Sequence, residues 1–241
     1  MQDTLVLKLK TKINSDNLTK TLTQYEPWGH RIDFSNGVST STLKQRMPFA
    51  HNTLQKIKIV EKAIPFTKFR GGEVLDIGCN SGYNSIYLAS KYNMHPSGID
   101  VSSRHIEVSN MLSKIANIDA DYMIGNAETY SRKNNFDVIL HFGTLYHLPN
   151  PLLSLQTTYK NLKKGGYLAL ETQVYDHPTD QNICYFMHMQ NNDKTNFWAL
   201  STHVLRKYME IVGFFDIQEL LRVSPALLEE NMSRIILVAK K

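Results

Sequence analysis

From Glu73 onward, short apolar runs alternate with stretches in which apolar residues recur every three or four positions. That alternation predicts parallel strands linked by helices covering both faces of one sheet. Val74 to Ile77 reads as the first strand, ending in a glycine-bearing turn, and 83–91 as the first crossover helix. A second strand at 97–101 leads into a helix capped by Ser102 or Ser103, with Val108, Met111, Leu112 and Ile115 on one face. Residues 122–126 and 136–142 give a third and a fourth strand. The next helix has Asn150 as N-cap, Pro151 in its first turn and a Leu152, Leu155, Tyr159, Leu162 stripe, and closes at Lys163, Lys164, Gly165 and Gly166. A fifth strand at 167–172, a helix with Leu205, Tyr208, Met209 and Val212 that stops at Gly213, and a hairpin near 217–223 and 234–239 complete the series. The expectation is an α/β domain over 71–241: a doubly wound, mostly parallel, seven-stranded sheet with an antiparallel C-terminal hairpin.

Two segments depart from this rhythm. In the N-terminal extension, 1–70, Ile32, Phe34, Val38 and Thr40 alternate around Asn36-Gly37, a hairpin signal, and 54–64 reads as a helix with scattered lysines. This extension is expected to cap the substrate. The stretch 176–200 has no clean period, and a loop of that length is usually functional or disordered. Its Tyr185, Phe186, Met187, Met189, Phe197 and Trp198 argue against disorder, so it is expected to be an acceptor-side loop.

Composition adds constraints. Residues 1–70 hold 12 Lys and Arg against 5 Asp and Glu, so the net charge of +5 comes from the extension. That suits RNA, an anionic head group or a phosphorylated substrate, or simply a solvated lysine surface. Two cysteines, Cys79 and Cys184, are too few for a disulfide scaffold and lack zinc-site spacing. A cytoplasmic location is expected, since 1–14 has no signal-peptide pattern and no apolar stretch is long enough to cross a bilayer.

The densest chemical signal is Val74-Leu75-Asp76-Ile77-Gly78-Cys79-Asn80-Ser81-Gly82, a strand running through a glycine turn into a helix. Glycines at 78 and 82 let the backbone approach a ligand, and the helix start offers free amides. A dinucleotide-binding domain begins similarly, but with three glycines spaced for a pyrophosphate. Asp100 closes the second strand 22 residues after Gly78, where a carboxylate can accept ribose hydroxyls. Asp76 would repel a pyrophosphate yet suits a ligand carrying an ammonium and a sulfonium, although an Asp satisfying its own turn is the plainer alternative.

These residues resemble the class I S-adenosylmethionine-dependent methyltransferases, whose first motif is similar to 75–82, the second to Gly98-Ile99-Asp100, the third to Gly125-Asn126-Ala127-Glu128 and the fourth to Phe136-Asp137-Val138-Ile139. The resemblance covers about 73–172 and implies a Rossmann-like fold and S-adenosylmethionine as cofactor, with S-adenosylhomocysteine as product. It implies that Asp76 and the Gly78 backbone, with Asn80 and Gly82 in the same bend, hold the methionine part. Asp100 beside Val101 would hold the ribose, Ala127 with Asn126 or Glu128 the adenine edge, and His141 and Phe142 the far wall. Asn80 stands where many relatives have a middle glycine. The run 142–153 and Leu170-Glu171-Thr172 resemble the branch that includes the tRNA wobble-uridine carboxymethyltransferase and small-molecule or glycan methyltransferases. Trp28, His30 and 36–40 are similar to the N-terminal element of the latter, which is the closer model because the tRNA enzyme has a longer N-terminal region.

Methyl transfer from a sulfonium is an in-line displacement that needs alignment and exclusion of water, and no metal. A hydroxyl acceptor benefits from a base of near-neutral pKa. His147 after the fourth strand, Tyr146 beside it and Glu171 at the end of the fifth strand are the candidate catalytic residues, with Tyr175, His177 and His188 behind them. Glu171, an acid in an apolar run, either pairs with a cation or faces the site. The expected acceptor is a hydroxyl of a small molecule or glycan; tRNA, and a non-catalytic cofactor binder, are the alternatives. A carboxylated donor would need a further cation near the methyl position, and no candidate stands out in the sequence.

Overall fold

The computed structural model describes residues 6–45, 54–224 and 230–241. The N-terminal extension contributes β1 (Leu7–Leu9), α1 (Ser15–Thr23), β2 (Ile32–Phe34) and α2 (Leu54–Val60). The rest runs β3 (Glu73–Ile77), α3 (Tyr83–Tyr92), β4 (His95–Asp100), α4 (Ser103–Ala116), β5 (Asp121–Ile124), β6 (Phe136–Phe142), α5 (Pro151–Asn161), β7 (Leu162–Tyr175), β8 (Cys184–Phe186), β9 (Trp198–Leu200), α6 (Thr202–Val212), β10 (Phe215–Val223) and β11 (Met232–Lys240).

The main sheet has the order β10-β11-β7-β6-β3-β4-β5. From β7 to β5 all neighbours are parallel, and β11 is antiparallel to both β7 and β10. The chain winds outward from β3 through β4 to β5, then returns to place β6 on the other side of β3. The ends of β3 and β6 therefore bound the topological switch point, where open α/β sheets leave a crevice for ligands. The expected doubly wound sheet is present, enlarged by β8 and β9, which hang on β7 through the Val174–Leu200 pair.

Each face of the sheet has its own apolar layer. Leu75, Ile77, Ile139 and Leu168 pack with Leu155 of α5 and Leu205 and Met209 of α6, while Val74, Val138 and Leu140 pack with Ile57 and Val60 of α2. The extension shares a third cluster with the body: Leu7, Leu18, Trp28 and Ile32 pack together with Tyr83 and Ile86 of α3 and Leu112 of α4.

Several local expectations change. The Asn36-Gly37 turn forms, with Gly37 at φ +88° and the Phe34 N–H donating to Val38 O at 2.8 Å, but its ladder is a single bridge, Asp33 to Ser39. The lasting partner of β2 is β1, in parallel. Helix α5 ends at Asn161, earlier than the 163–166 stop, because Leu162 turns extended and pairs with Phe136. Asn150 occupies the N-cap position, but its side chain makes no capping bond. Glu128 takes that role from another element, accepting the Asn150 N–H at 2.7 Å, and a carboxylate there also complements the helix dipole. Ser102 is the cap of α4, accepting from the His105 N–H. The 176–200 stretch is a small β8–β9 ladder with a 3-10 turn at Gln190–Asn192.

Gly98 marks how closely β4 lies under its neighbours: a Cβ there would stand 2.4 Å from Tyr122 Cδ1 and 2.9 Å from Cys79 Cβ. Tyr122 is buried and hydrogen-bonded to Ser85, so it has nowhere to move. Gly98→Ala should lower unfolding free energy by about 1–3 kcal/mol, as overpacking does. Urea denaturation checks it, and an unchanged midpoint would refute the packing account.

Candidate active site

After β3 the chain bends through three left-handed residues, Gly78 (φ +69°), Asn80 (φ +50°) and Gly82 (φ +71°). Asparagine is among the few side-chain-bearing residues that enter this region readily, so Asn80 keeps the bend that a glycine would give. The bend is pinned at both sides. The Gly78 and Cys79 amides donate to Ile99 O at 2.8 and 3.0 Å. A Cβ on Gly78 would lie 2.1 Å from Thr144 Oγ1, and that hydroxyl donates to Ile77 O and Phe142 O at 3.2 Å each. Thr144, missed in the sequence, thus locks the turn after β6 against the turn after β3.

Asp100 ends β4 and binds what surrounds it. Its Oδ2 accepts the Asn80 N–H at 3.0 Å, its Oδ1 accepts the Ser102 N–H at 2.9 Å, and His105 Nδ1 lies 3.1 Å from Oδ1. Burial works against its ionisation, but the His105 ring and the Ser102 and Asn80 amides outweigh burial and hold the carboxyl below its ordinary value. A carboxylate offers about four lone-pair sites. The two amides use one on each oxygen, and His105 Nδ1 makes no hydrogen bond among the described residues but crowds Oδ1, so Oδ2 is the oxygen with room for a ligand hydroxyl.

A cavity of about 500 Å3 opens over this bend. Of the residues singled out in the sequence, Gly78, Asn80, Asp100, Val101, Asn126, Ala127, Glu128 and His147 line it together. Asp193 and Thr195, from the 176–200 stretch, close its outer side. Asp76, Gly82, His141, Phe142, Tyr146 and Glu171 do not line it, nor do Tyr175, His177 and His188. Gly82 starts α3 and is filled against packing, since a Cβ there would meet the Tyr122 hydroxyl at 2.8 Å. His141 and Phe142, expected as a wall, alternate to opposite faces of β6 as strand residues must. His141 is fully buried with Nε2 3.0 Å from Ser154 Oγ on α5, and burial lowers its pKa to about 4. Phe142 turns the other way, its ring 6.0 Å from the Lys56 ammonium of α2.

Asp76 is sealed within β3, only 2% exposed, behind the cavity. Its Oδ2 has no hydrogen-bond partner. Burial, with a further push from the Asp100 charge, raises the carboxyl to about 7 against opposing hydrogen bonds from Ser85. Tyr146 and Glu171 lie beside the cavity. Glu171 resolves to the ion-paired alternative: Arg234 Nε and Nη2 reach its Oε1 and Oε2 at 2.5 and 3.0 Å, and Lys56 Nζ reaches Oε2 at 2.8 Å. Burial alone would raise this carboxyl, yet Lys56 and Arg234 hold it below its ordinary value. The Arg234 guanidinium also stacks over the Tyr146 ring at 5.2 Å. This cluster touches the cavity through Gly143, where a Cβ would come within 3.6 Å of both Arg234 Nη2 and Glu171 Oε2. His147 has Nδ1 3.0 Å from Thr195 Oγ1 and 3.2 Å from Thr195 O, and burial lowers its pKa.

Lys56, Arg234 and Thr144 had no sequence signal of their own, because each acts through a distant partner, and His105, five residues after Asp100, lies inside a helix face that the apolar pattern does not mark. Among the described residues, no group of three or more His, Cys, Asp or Glu could hold a metal ion, and no helix is long and apolar enough to cross a membrane.

The raised Asp76 value sets a sign. An unfolded aspartate loses its proton near 3.8 and the folded one near 7, so across that window the folded chain binds more protons and loses stability as pH rises. Asp76→Asn should remove that loss, so its urea midpoint should gain on wild type as pH rises from about 4 to about 7. A gap between the two proteins that does not change with pH would contradict it.

Residues 49–219 match the model of a methyltransferase-domain family. The chain is 30% identical over 172 residues to the tRNA U34 carboxymethyltransferase of Desulfotalea psychrophila, covering 68% of this chain and 51% of that protein. It is 31% identical over 171 residues to the protein of the same name from Helicobacter acinonychis, covering 66% and 63%. The chain thus spans about half to two thirds of the length of these relatives. Its fold is similar to the N-terminal domain of EvdMO1, crystallised in the presence of SAH and D-fucose (TM-score 0.73, 16% identity, 95% of this chain and 97% of that one). It is also similar to Haemonchus contortus phosphoethanolamine N-methyltransferase 2 in complex with S-adenosyl-L-methionine (TM-score 0.63, 16% identity, 80% and 53%). With the glycine bend, the strand-end carboxylate and the sheet order in agreement, this chain belongs to the class I S-adenosylmethionine-dependent methyltransferase family.

Proposed function

We propose that this chain transfers a methyl group from S-adenosylmethionine to a hydroxyl of a small molecule or sugar. The observation that carries the reading is Asp100: an ionised carboxylate at the end of β4, tied to the glycine bend and lining a cavity of about 500 Å3. That volume falls in the usual ligand-pocket range of roughly 300–1,000 Å3. The residues present suit the cofactor. Asp100 would hold a ribose hydroxyl, Asn126, Ala127 and Glu128 the adenine edge, and the Gly78 backbone the methionine part. Asp76 lies sealed behind the bend with its carboxyl raised to about 7 and one oxygen unpartnered, so a cation bound in front of it would favour its ionised form. Bound there, S-adenosylmethionine supplies an electrophilic methyl carbon on a positively charged sulfur. The chain's own work is to orient the acceptor and exclude water.

The acceptor side favours a hydroxyl over an amine. Its one buried acid, Glu171, is already matched by Lys56 and Arg234, so the cluster carries excess positive charge and offers nothing to an ammonium. A sugar acceptor also agrees with the D-fucose used with the EvdMO1 domain.

One observation supports a second reading, carboxymethyl transfer to tRNA as in the named relatives. Arg234 and Lys56 beside Gly143 are cations next to the cleft, of the kind a carboxylated donor would want.

Calorimetry should find S-adenosylhomocysteine binding by wild type, and Asp100→Ala should weaken it at least about tenfold, roughly the 1.4 kcal/mol of one charge-assisted hydrogen bond. Binding that is absent, or unaffected by the substitution, would rule out the cofactor assignment. Incubation with methyl-labelled S-adenosylmethionine and a cell extract should place label in the small-molecule or glycan fraction; label confined to RNA would favour the second reading.

A further inference from the structure

The extension delivers one histidine to the cofactor bend that none of the roles above employs. The backbone leading to His30 is anchored by Trp28, which is buried and donates its indole N–H to Leu22 O at 3.1 Å. The His30 ring stacks on Tyr83 at 4.8 Å between centroids, and its Nδ1 lies 3.1 Å from Ser81 Oγ. Tyr83 is itself held to the extension, its hydroxyl accepting the Leu7 N–H at 3.0 Å and donating to Arg31 O at 3.1 Å. The imidazole is therefore fixed by Ser81 and Tyr83, immediately after Asn80 of the bend.

Nε2 has no hydrogen-bond partner among the described residues, and the ring lines a second cavity of about 330 Å3 that shares Asn80 and His105 with the cofactor cleft. In the tautomer that donates from Nδ1 to Ser81, Nε2 presents a lone pair. The groups acting on it are Lys56 from α2, His105 from α4, and Ser81 and Tyr83 from the bend and the start of α3. Burial first, then Lys56 and His105, push the imidazole down to about 4, so it stays neutral under ordinary conditions.

We propose that His30 Nε2 accepts the hydrogen bond of the acceptor hydroxyl and takes its proton as the hydroxyl oxygen bonds to the transferred methyl carbon. The electron pair of the old carbon–sulfur bond stays on sulfur, and the imidazolium then passes its proton to water. This rests on the reading that the cleft binds S-adenosylmethionine and the acceptor is a hydroxyl. The other candidates are placed less well. Glu171 has both oxygens engaged by Arg234 and Lys56. His147 belongs to the segment tied to Glu128 through the Asn150 amide, at the end where the family resemblance puts adenine. The electrostatics also suit His30. Before transfer, a protonated imidazole near a sulfonium would be repelled; transfer removes the charge on sulfur, so the site tolerates the proton as the methyl group leaves.

The test is histidine-ring NMR of the full chain, titrated separately with S-adenosylmethionine and S-adenosylhomocysteine, with calorimetry in parallel. Ring signals are assigned by their loss in His30→Gln or, should that variant fail to fold, His30→Asn. The expected result is that His30 titrates at lower pH with the charged ligand than with the neutral one. Either folded variant should bind S-adenosylhomocysteine within about threefold of wild type. Its methyl incorporation into the wild-type acceptor fraction should fall at least about tenfold, toward the lower end of what a general base contributes because the imidazole is a weak base at about 4. Ring signals that titrate alike with both ligands, or incorporation close to wild type, would overturn the assignment of His30. If wild type binds neither ligand, the cofactor reading fails first and takes this inference with it.

Discussion

The Asp100 carboxylate joins the amide of Asn80 in the bend after β3 to the amide of Ser102 at the head of α4. Two segments that part company at the edge of the sheet are thereby held by one charged group, in a place partly closed to water, where such hydrogen bonds are stronger. The floor of the cavity depends on that junction. The Thr144 hydroxyl adds the complementary constraint from β6, so the bend has no freedom to relax toward either neighbour. A ligand arriving there meets donors and acceptors already in position, and little ordering remains for binding to bring about.

Around Glu171, beside the cavity, the electrostatic arrangement is of another kind. Glu171 is buried and ionised because two cations converge on it from distant parts of the chain, Lys56 from the extension and Arg234 from β11. Burying a carboxylate is costly unless geometry and hydrogen bonding compensate, and the bidentate contact from the half-buried Arg234 supplies that geometry. The triad makes the extension an integral part of the site. Trp28 and Leu7 share a core with α3 and α4, and Lys56 reaches the end of β7.

Much of the fold was legible in the sequence because its strands are runs of apolar residues with conspicuous punctuation, such as 136–142 before Gly143 and the Ser102 cap of α4. That Gly78, Asn80, Asp100 and 126–128 line one cavity was legible too, since they are local motifs. Errors fell where a distant partner overrides local pattern. Leu162 left the helix because Phe136 offered a ladder, and Asn150 yielded its capping role to Glu128. The family resemblance put His141 and Phe142 in a wall, whereas the two-residue strand period sends them into the helical layers. Glu171 could be flagged as anomalous, but its counter-ions lie 115 and 63 residues away, beyond what spacing can reveal.

The position of β11 has a consequence for how the chain assembles. Although β10 precedes it in sequence, β11 lies between β10 and β7, so the edge of β7 stays open until this late strand inserts. During synthesis from the N-terminus, Glu171 and Lys56 emerge well before Arg234. An incomplete nascent chain thus carries an exposed strand edge and a carboxylate short of its guanidinium, both features that disfavour premature closure. The Glu171 cluster is complete only once β11 docks, so one strand both covers the edge of β7 and supplies the guanidinium that the buried carboxylate requires.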